Sequence, residues 1–167
     1  MLLEGKKVLV TGASAGIGRA AANGAARHGA DVAINYAGND AAAEDVVRQI
    51  EALGRRALAI KGDVAEHATA GAFVSQAADT LGGLDVFVSN AGICPFHAFL
   101  DMPPETFERT MRVNLHGAYY MVQAAANRMV EQGRGGAIVA VSSTSALVGG
   151  AFQTHYTPTK AGIHSLM

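Results

Sequence analysis

Tyr156 and Lys160 lie four residues apart, and Ser143 lies thirteen residues before Tyr156. A four-residue interval puts two side chains on one face of a helix, so an ammonium would stand beside a phenol and favour its ionised form. A tyrosine able to give or take a proton is what hydride transfer to or from a carbonyl carbon requires. A serine hydroxyl can hold the reacting oxygen by hydrogen bonding. Near the amino end, Thr11-Gly12-Ala13-Ser14-Ala15-Gly16-Ile17-Gly18 forms a glycine-rich run. Between a strand and a helix, such a turn lets backbone N–H groups approach a pyrophosphate, and the helix amino terminus adds a partial positive charge. Singly, Tyr156 reads as a packed amphipathic residue, Lys160 as a solvated one and the glycines as an ordinary turn. Jointly they point to nicotinamide-dependent oxidation of an alcohol or reduction of a carbonyl.

Elements able to position these groups are visible in the hydrophobic pattern. Short β-branched runs at 7–11, 32–36, 57–62, 86–89 and 137–141 read as strands. They alternate with helical stretches at 16–28, 40–53, 67–81 and 105–132, and a further helix begins near Tyr156. Gly29, Gly54, Gly82 and Gly133 fall where helix carboxyl ends belong. Alternation of this kind predicts an α/β, Rossmann-type doubly wound parallel sheet. Strands one to three lie on one side of the switch point and four and five on the other, with ligands at the carboxyl ends.

Length and composition bound the remainder. The chain has 167 residues, half of them hydrophobic, which suits one dinucleotide-binding catalytic domain spanning 1–167. A net charge of −1 without a basic stretch argues against nucleic acid as a partner. Cys94 is the only cysteine, so no intrachain disulfide can form, which fits a cytoplasmic location. No signal pattern and no long apolar stretch marks a membrane partner, and no His, Asp and Cys spacing marks a metal.

Gly12-x-x-x-Gly16-x-Gly18, Asp63-Val64, Asn90-Ala91-Gly92, Asn114, Ser143 and Tyr156-x-x-x-Lys160 follow one another across the chain. In order and spacing they resemble the short-chain dehydrogenase/reductase family. The resemblance implies that Ser14 and Ile17 share the phosphate-facing turn with Gly12, Gly16 and Gly18. It implies that Asp63 and the Val64 amide meet the adenine, against the alternative that Asp63 caps a helix. It also implies that Asn90, Ala91 and Gly92 approach the cofactor, with Asn90 alternatively bridging strand backbones. In the catalytic set it makes Tyr156 the proton-transfer group, Ser143 the holder of the substrate oxygen, and Lys160 the partner of both Tyr156 and the nicotinamide ribose. Asn114 would support a water relay, against the alternative of a mid-helix Asn facing solvent. Ser142 would be structural.

Cofactor choice is legible in part. Enzymes selecting NAD place a carboxylate at the end of the second strand, on the ribose hydroxyls. Tyr36 stands there instead, so NAD or NADP is expected. Ala15 lacks the basic character often found at that point in phosphate-selective relatives, and Arg19 could compensate or lie on the surface. Cys94, Phe96, His97, Ser145, Leu147 and Gln153 are candidates to face the substrate. His97 and His155 read as loop hydrogen-bonding residues.

Stretches 90–97, 146–150 and 153–160 carry a closer resemblance, to aldose dehydrogenases of the family. It implies a small-molecule sugar substrate, with oxidation of the C1 hydroxyl of cyclic L-rhamnose to the lactone. The rival readings are reduction of a 3-oxoacyl thioester and a noncatalytic nicotinamide-binding module or truncated partner protein. Family members assemble as homo-oligomers and continue beyond the point matched by Met167, so the chain is read as truncated.

Overall fold

The computed structural model describes all residues, Met1–Met167. Five parallel strands, β1 (Lys7–Val10), β2 (Asp31–Tyr36), β3 (Ala57–Lys61), β4 (Val86–Ser89) and β5 (Ala137–Ala140), form one sheet in the order β3-β2-β1-β4-β5. All strands run in the same direction, and it is the order in which they are added that reverses between β1 and β4, as the βαβ pattern predicts. Helices α1 (Gly16–Arg27) and α2 (Asp40–Glu51) cover one face, while α3 (His67–Leu81) and α5 (Gly117–Glu131) pack on the other.

Period-two alternation builds two cores from the same strands. Val8, Val10, Val32 and Ile34 pack with Ala22, Ala26, Val46 and Ile50. Leu9, Ala33 and Phe87 point the opposite way, into Phe73, Val74, Leu81 and Met121. At the amino ends of the strands, the buried Asp31 carboxylate gathers Lys7, Arg55 and Arg56. At the far edge of the sheet, Val139 of β5 is exposed.

Three strands stop one residue short of the pattern, before Thr11, Gly62 and Val141. Their amides still donate, to Val88, Tyr36 and Ser89 respectively, while the chain turns away to build the carboxyl-end loops. The single helix expected over 105–132 is instead α4 (Pro104–Met111), a π-helical turn over Arg112–His116, and then α5. A π-turn widens the helix where Asn114 points inward, and such bulges recur at functional sites. Two further helices follow: a short α6 (Ser145–Val148), unforeseen from periodicity, and α7 (Tyr156–Leu166), starting where the spacing predicts. No helix is long and apolar enough to cross a membrane.

Candidate active site

A cleft of about 650 Å³ opens at the carboxyl ends of the strands, where their order reverses. Gly12, Ser14, Gly16 and Ile17 line it after β1, and Tyr36 lines it after β2. Asp63 and Val64 follow β3, Asn90, Ala91 and Gly92 follow β4, and Tyr156 and Lys160 of α7 close the far side.

The glycine turn is shaped by close approach. Gly12 has φ +64°, and a Cβ there would meet the Ala91 Cα at 2.8 Å. Only glycine meets both demands without strain. Gly18 does not line the cleft; a Cβ on it would fall 2.5 Å from Asn90 Nδ2 and 2.6 Å from the Gly12 carbonyl, so its smallness lets α1 sit close to the sheet. No side chain caps the amino end of α1, which leaves the first-turn N–H groups able to meet an anion in the cleft. Backbone approach, an uncapped helix end and a cleft lined from the end of β2 across to α7 together fit a dinucleotide.

Asn90 donates from Nδ2 to the carbonyls of Thr11 at 2.9 Å and Gly12 at 3.1 Å. Of its two readings, the backbone bridge is the one its side-chain hydrogen bonds make. Thr11, not foreseen in this role, accepts at Oγ1 from the amides of Asn90 at 3.0 Å and Ala91 at 3.1 Å. The Asp63 carboxylate does not cap α3, which starts four residues later. It accepts from the Ala65 amide at 2.9 Å and from Arg109 at 2.6 Å. Burial works to raise the Asp63 carboxyl, but these donors hold it below its ordinary range. Arg109 also lines the cleft and was invisible to motif reading, since 46 positions separate it from Asp63.

The Tyr36 hydroxyl donates to Asp40 at 2.8 Å. Arg19 is bound to Asp45 at 2.6 Å, an ion pair between α1 and α2.

Around the proton-transfer candidates the structure is denser than the motifs suggested. Lys160 is buried, its Nζ donates to the Val141 carbonyl at 2.7 Å, and that ammonium lies 5.7 Å from the centre of the Tyr156 ring. Burial pushes the Lys160 ammonium down from its ordinary value. Asn114 is fully buried, which replaces the alternative of a solvent-facing helix residue. Its Oδ1 accepts from the Ile93 amide and its Nδ2 donates to the Ile93 carbonyl, both at 2.8 Å. Nδ2 also reaches Thr159 Oγ1 at 3.2 Å, and Thr159 donates to the Tyr156 carbonyl at 2.6 Å. The π-turn, the loop after β4 and the first turn of α7 are thereby fastened together.

The two serines make different contacts. Ser142 lines the cleft, with its hydroxyl donating to the Lys160 carbonyl at 2.9 Å. The Ser143 hydroxyl pairs with that of Ser145 at 2.9 Å, at the start of α6. Among the substrate-facing candidates, Cys94 lines the cleft, and burial raises its thiol above the ordinary value. Phe96 and Leu147 are exposed. Gln153 uses its backbone carbonyl to receive the Tyr156 amide at 2.9 Å. His97 donates its amide to the Phe152 carbonyl at 3.1 Å. Neither ring nitrogen of His155 has a partner, so its expected hydrogen-bonding role gives way to packing at the foot of α7, where the residue is fully buried.

Comparison with known proteins agrees with this geometry. The family model described as short chain dehydrogenase matches residues 6–167. An L-rhamnose 1-dehydrogenase (NAD(P)(+)) of Sphingomonas sp. (strain SKA58) is 73% identical over 166 residues, covering 99% of this chain and 65% of that protein. The chain thus spans about two thirds of the length of this curated relative. A short chain dehydrogenase from Burkholderia cenocepacia J2315, solved in complex with NADP, superposes with a TM-score of 0.94 at 40% identity, over 99% of this chain and 67% of that one. One from Mycobacterium paratuberculosis, bound to NAD, gives 0.95 at 34% identity, over 99% and 66%.

Proposed function

This chain belongs to the short-chain dehydrogenase family, and from that premise we propose that it forms an NAD(P)-dependent oxidoreductase domain acting on the C1 hydroxyl of L-rhamnose, giving the lactone. One observation carries the reading. The Lys160 ammonium lies 5.7 Å from the Tyr156 ring, and both residues line the same cleft as the glycine turn. The choice of sugar is supported by the 73% identity to the rhamnose enzyme.

Gly12, Ser14, Gly16 and Ile17 would hold the pyrophosphate of NAD or NADP, with Gly18 keeping α1 close. Tyr36 would meet the adenosine ribose, Asp63 and Val64 the adenine, and Asn90, Ala91 and Gly92 the middle of the molecule. When bound, the nicotinamide accepts the hydride that leaves C1. Tyr156 takes the hydroxyl proton as that hydride departs, so the carbon loses a hydride and the oxygen a proton, leaving the lactone carbonyl. Ser143, released from Ser145, holds the sugar oxygen through its hydroxyl, and Ser145 and Gln153 border the sugar. Lys160 keeps a positive charge beside Tyr156 and reaches the nicotinamide ribose. Asn114 holds the Ile93 loop against α7, which lets a water chain run from Lys160.

The reading includes a cytoplasmic location, supported by the single free Cys94. It also includes self-association, supported by the apolar groove of Leu115, Tyr119, Tyr120 and Leu166 between the π-turn, α5 and α7.

The test follows NAD(P)H absorbance with L-rhamnose, other aldoses and, in reverse, a 3-oxoacyl thioester, with cofactor binding measured alongside. Rhamnose-dependent reduction of either cofactor supports the reading. Binding with turnover only of the thioester would transfer the assignment to that substrate, and absence of cofactor binding would sink it.

A further inference from the structure

At the end of β2, Tyr36 lines the cleft, and its hydroxyl shares the carboxylate of Asp40 with Lys61. Tyr36 and Lys61 are paired in register across β2 and β3, so their side chains leave the same face of the sheet. Asp40, in the first turn of α2, receives the Tyr36 hydroxyl at 2.8 Å and the Lys61 ammonium at 2.9 Å. The amino end of α2 adds its own attraction for this carboxylate. Tyr36 lines the cleft together with Ala37, Gly38 and Gly62, its immediate neighbours in the strand ends.

This arrangement divides the two nicotinamide cofactors by hydrogen-bond chemistry. Tyr36 has one proton, and Asp40 holds it, so the oxygen left facing outward can accept but not donate. A ribose 2′-hydroxyl can donate to it. A 2′-phosphate offers only acceptors and brings negative charge toward Asp40, which it must share with Lys61. The Lys61 side chain is 55% exposed and Asp40 is 56% exposed, so their pairing is weak and the flexible lysine can exchange one anion for another. Glu44 lies near enough to Tyr36 to add to the negative field. Arg19, the other cation expected to help, is committed to Asp45.

We infer that Asp40 and Lys61 set the balance between NAD and NADP: Asp40 orients Tyr36 toward the 2′-hydroxyl and opposes a phosphate, while Lys61 is the cation that leaves Asp40 to receive one. The inference rests on the nicotinamide-binding reading above, but it concerns residues that no motif of the chain marks. A carboxylate and an ammonium that neutralise each other admit both cofactors. Removing either partner should commit the site to one.

Titration calorimetry of the protein with NAD and with NADP, for the unaltered chain, Asp40→Asn and Lys61→Met, tests this. Asp40→Asn should shift the ratio of dissociation constants toward NADP, and Lys61→Met toward NAD, each by about tenfold, or about 1.4 kcal/mol. Both substitutions are at exposed positions, and circular dichroism verifies that each variant is folded. Ratios within about twofold of the unaltered chain, with both cofactors still binding, would overturn the inference and leave the parent reading standing. Failure of the unaltered chain to bind either cofactor would overturn both.

Discussion

Asn114 spans the backbone of Ile93, taking its amide at Oδ1 and giving to its carbonyl from Nδ2, both at 2.8 Å. This pairing joins a π-helical turn to the loop after β4, and through Thr159 to α7. The site's proton-transfer candidates are thus held by a buried polar bracket, in which each member depends on the others.

Replacing Asn114 by Ala would leave the Ile93 amide and carbonyl unpaired in a partly buried position. Each such group costs about 1–3 kcal/mol. The variant should lose about 2–4 kcal/mol of stability in urea unfolding. An unchanged midpoint would show that water satisfies those groups.

Tyr156→Phe keeps the ring and removes the proton. Cofactor affinity should stay within about twofold while kcat falls by about 100-fold or more, the scale of positioned acid–base catalysis. Lys160→Ala should weaken both, since its Nζ reaches the Val141 carbonyl as well as Tyr156. Equal turnover of Tyr156→Phe and the unaltered chain would remove Tyr156 from the mechanism.

A methyl group at Gly12 meets the Ala91 Cα at 2.8 Å, and the residue's φ of +64° is one that L side chains rarely adopt. Both obstacles are backbone, so neither yields by a rotamer change. Gly12→Ala should weaken binding of both cofactors by about tenfold or more, about 1.4 kcal/mol at least. It should also lower the melting temperature. Calorimetry and thermal unfolding measure the two effects separately.

Asp31 is 4% exposed at the opposite end of the sheet. Burial works to raise its carboxyl, but hydrogen bonds from the Lys7 ammonium and from the Arg56 amide and guanidinium hold it far below the ordinary carboxylate range. A depressed folded value stabilises the protein above the unfolded pKa of about 3.9, and that stability is lost as pH falls below it. Stability should therefore drop below about pH 4, with Asp31 contributing. Asp31→Asn should cost about 3 kcal/mol at pH 7, the low end for breaking a buried pair because its cationic partners are partly solvated. Its acid-side slope should flatten, as denaturant unfolding across pH would measure.

Motif spacing and hydrophobic period anticipated most of the architecture because both are local. The four-residue step from Tyr156 to Lys160 needs only one turn of helix, and α7 begins at Tyr156. Strand order follows from right-handed crossovers between short β-branched runs. Reading failed where a side chain's partner lies far along the chain. Only the family resemblance marks Asn114, because its partner Ile93 stands 21 residues away, and the π-turn is recorded in no periodicity. Ser142 and Ser143 could be assigned by counting alone, but their contacts depend on how the chain turns into α6, a helix too short to leave a pattern.

By itself, the sequence determined the parallel sheet, the position of the glycine turn at its centre and which side chains are candidates to move a proton. Those depend on repeat period, residue size and side-chain chemistry, all properties of neighbouring residues. Tertiary structure alone decided which hydroxyl pairs with which, that Asp63 meets Arg109, and that Asp40 joins Tyr36 to Lys61. These pairings arise when strand ends and helix starts converge at the carboxyl edge of the sheet, where a few ångströms decide which donor reaches which acceptor.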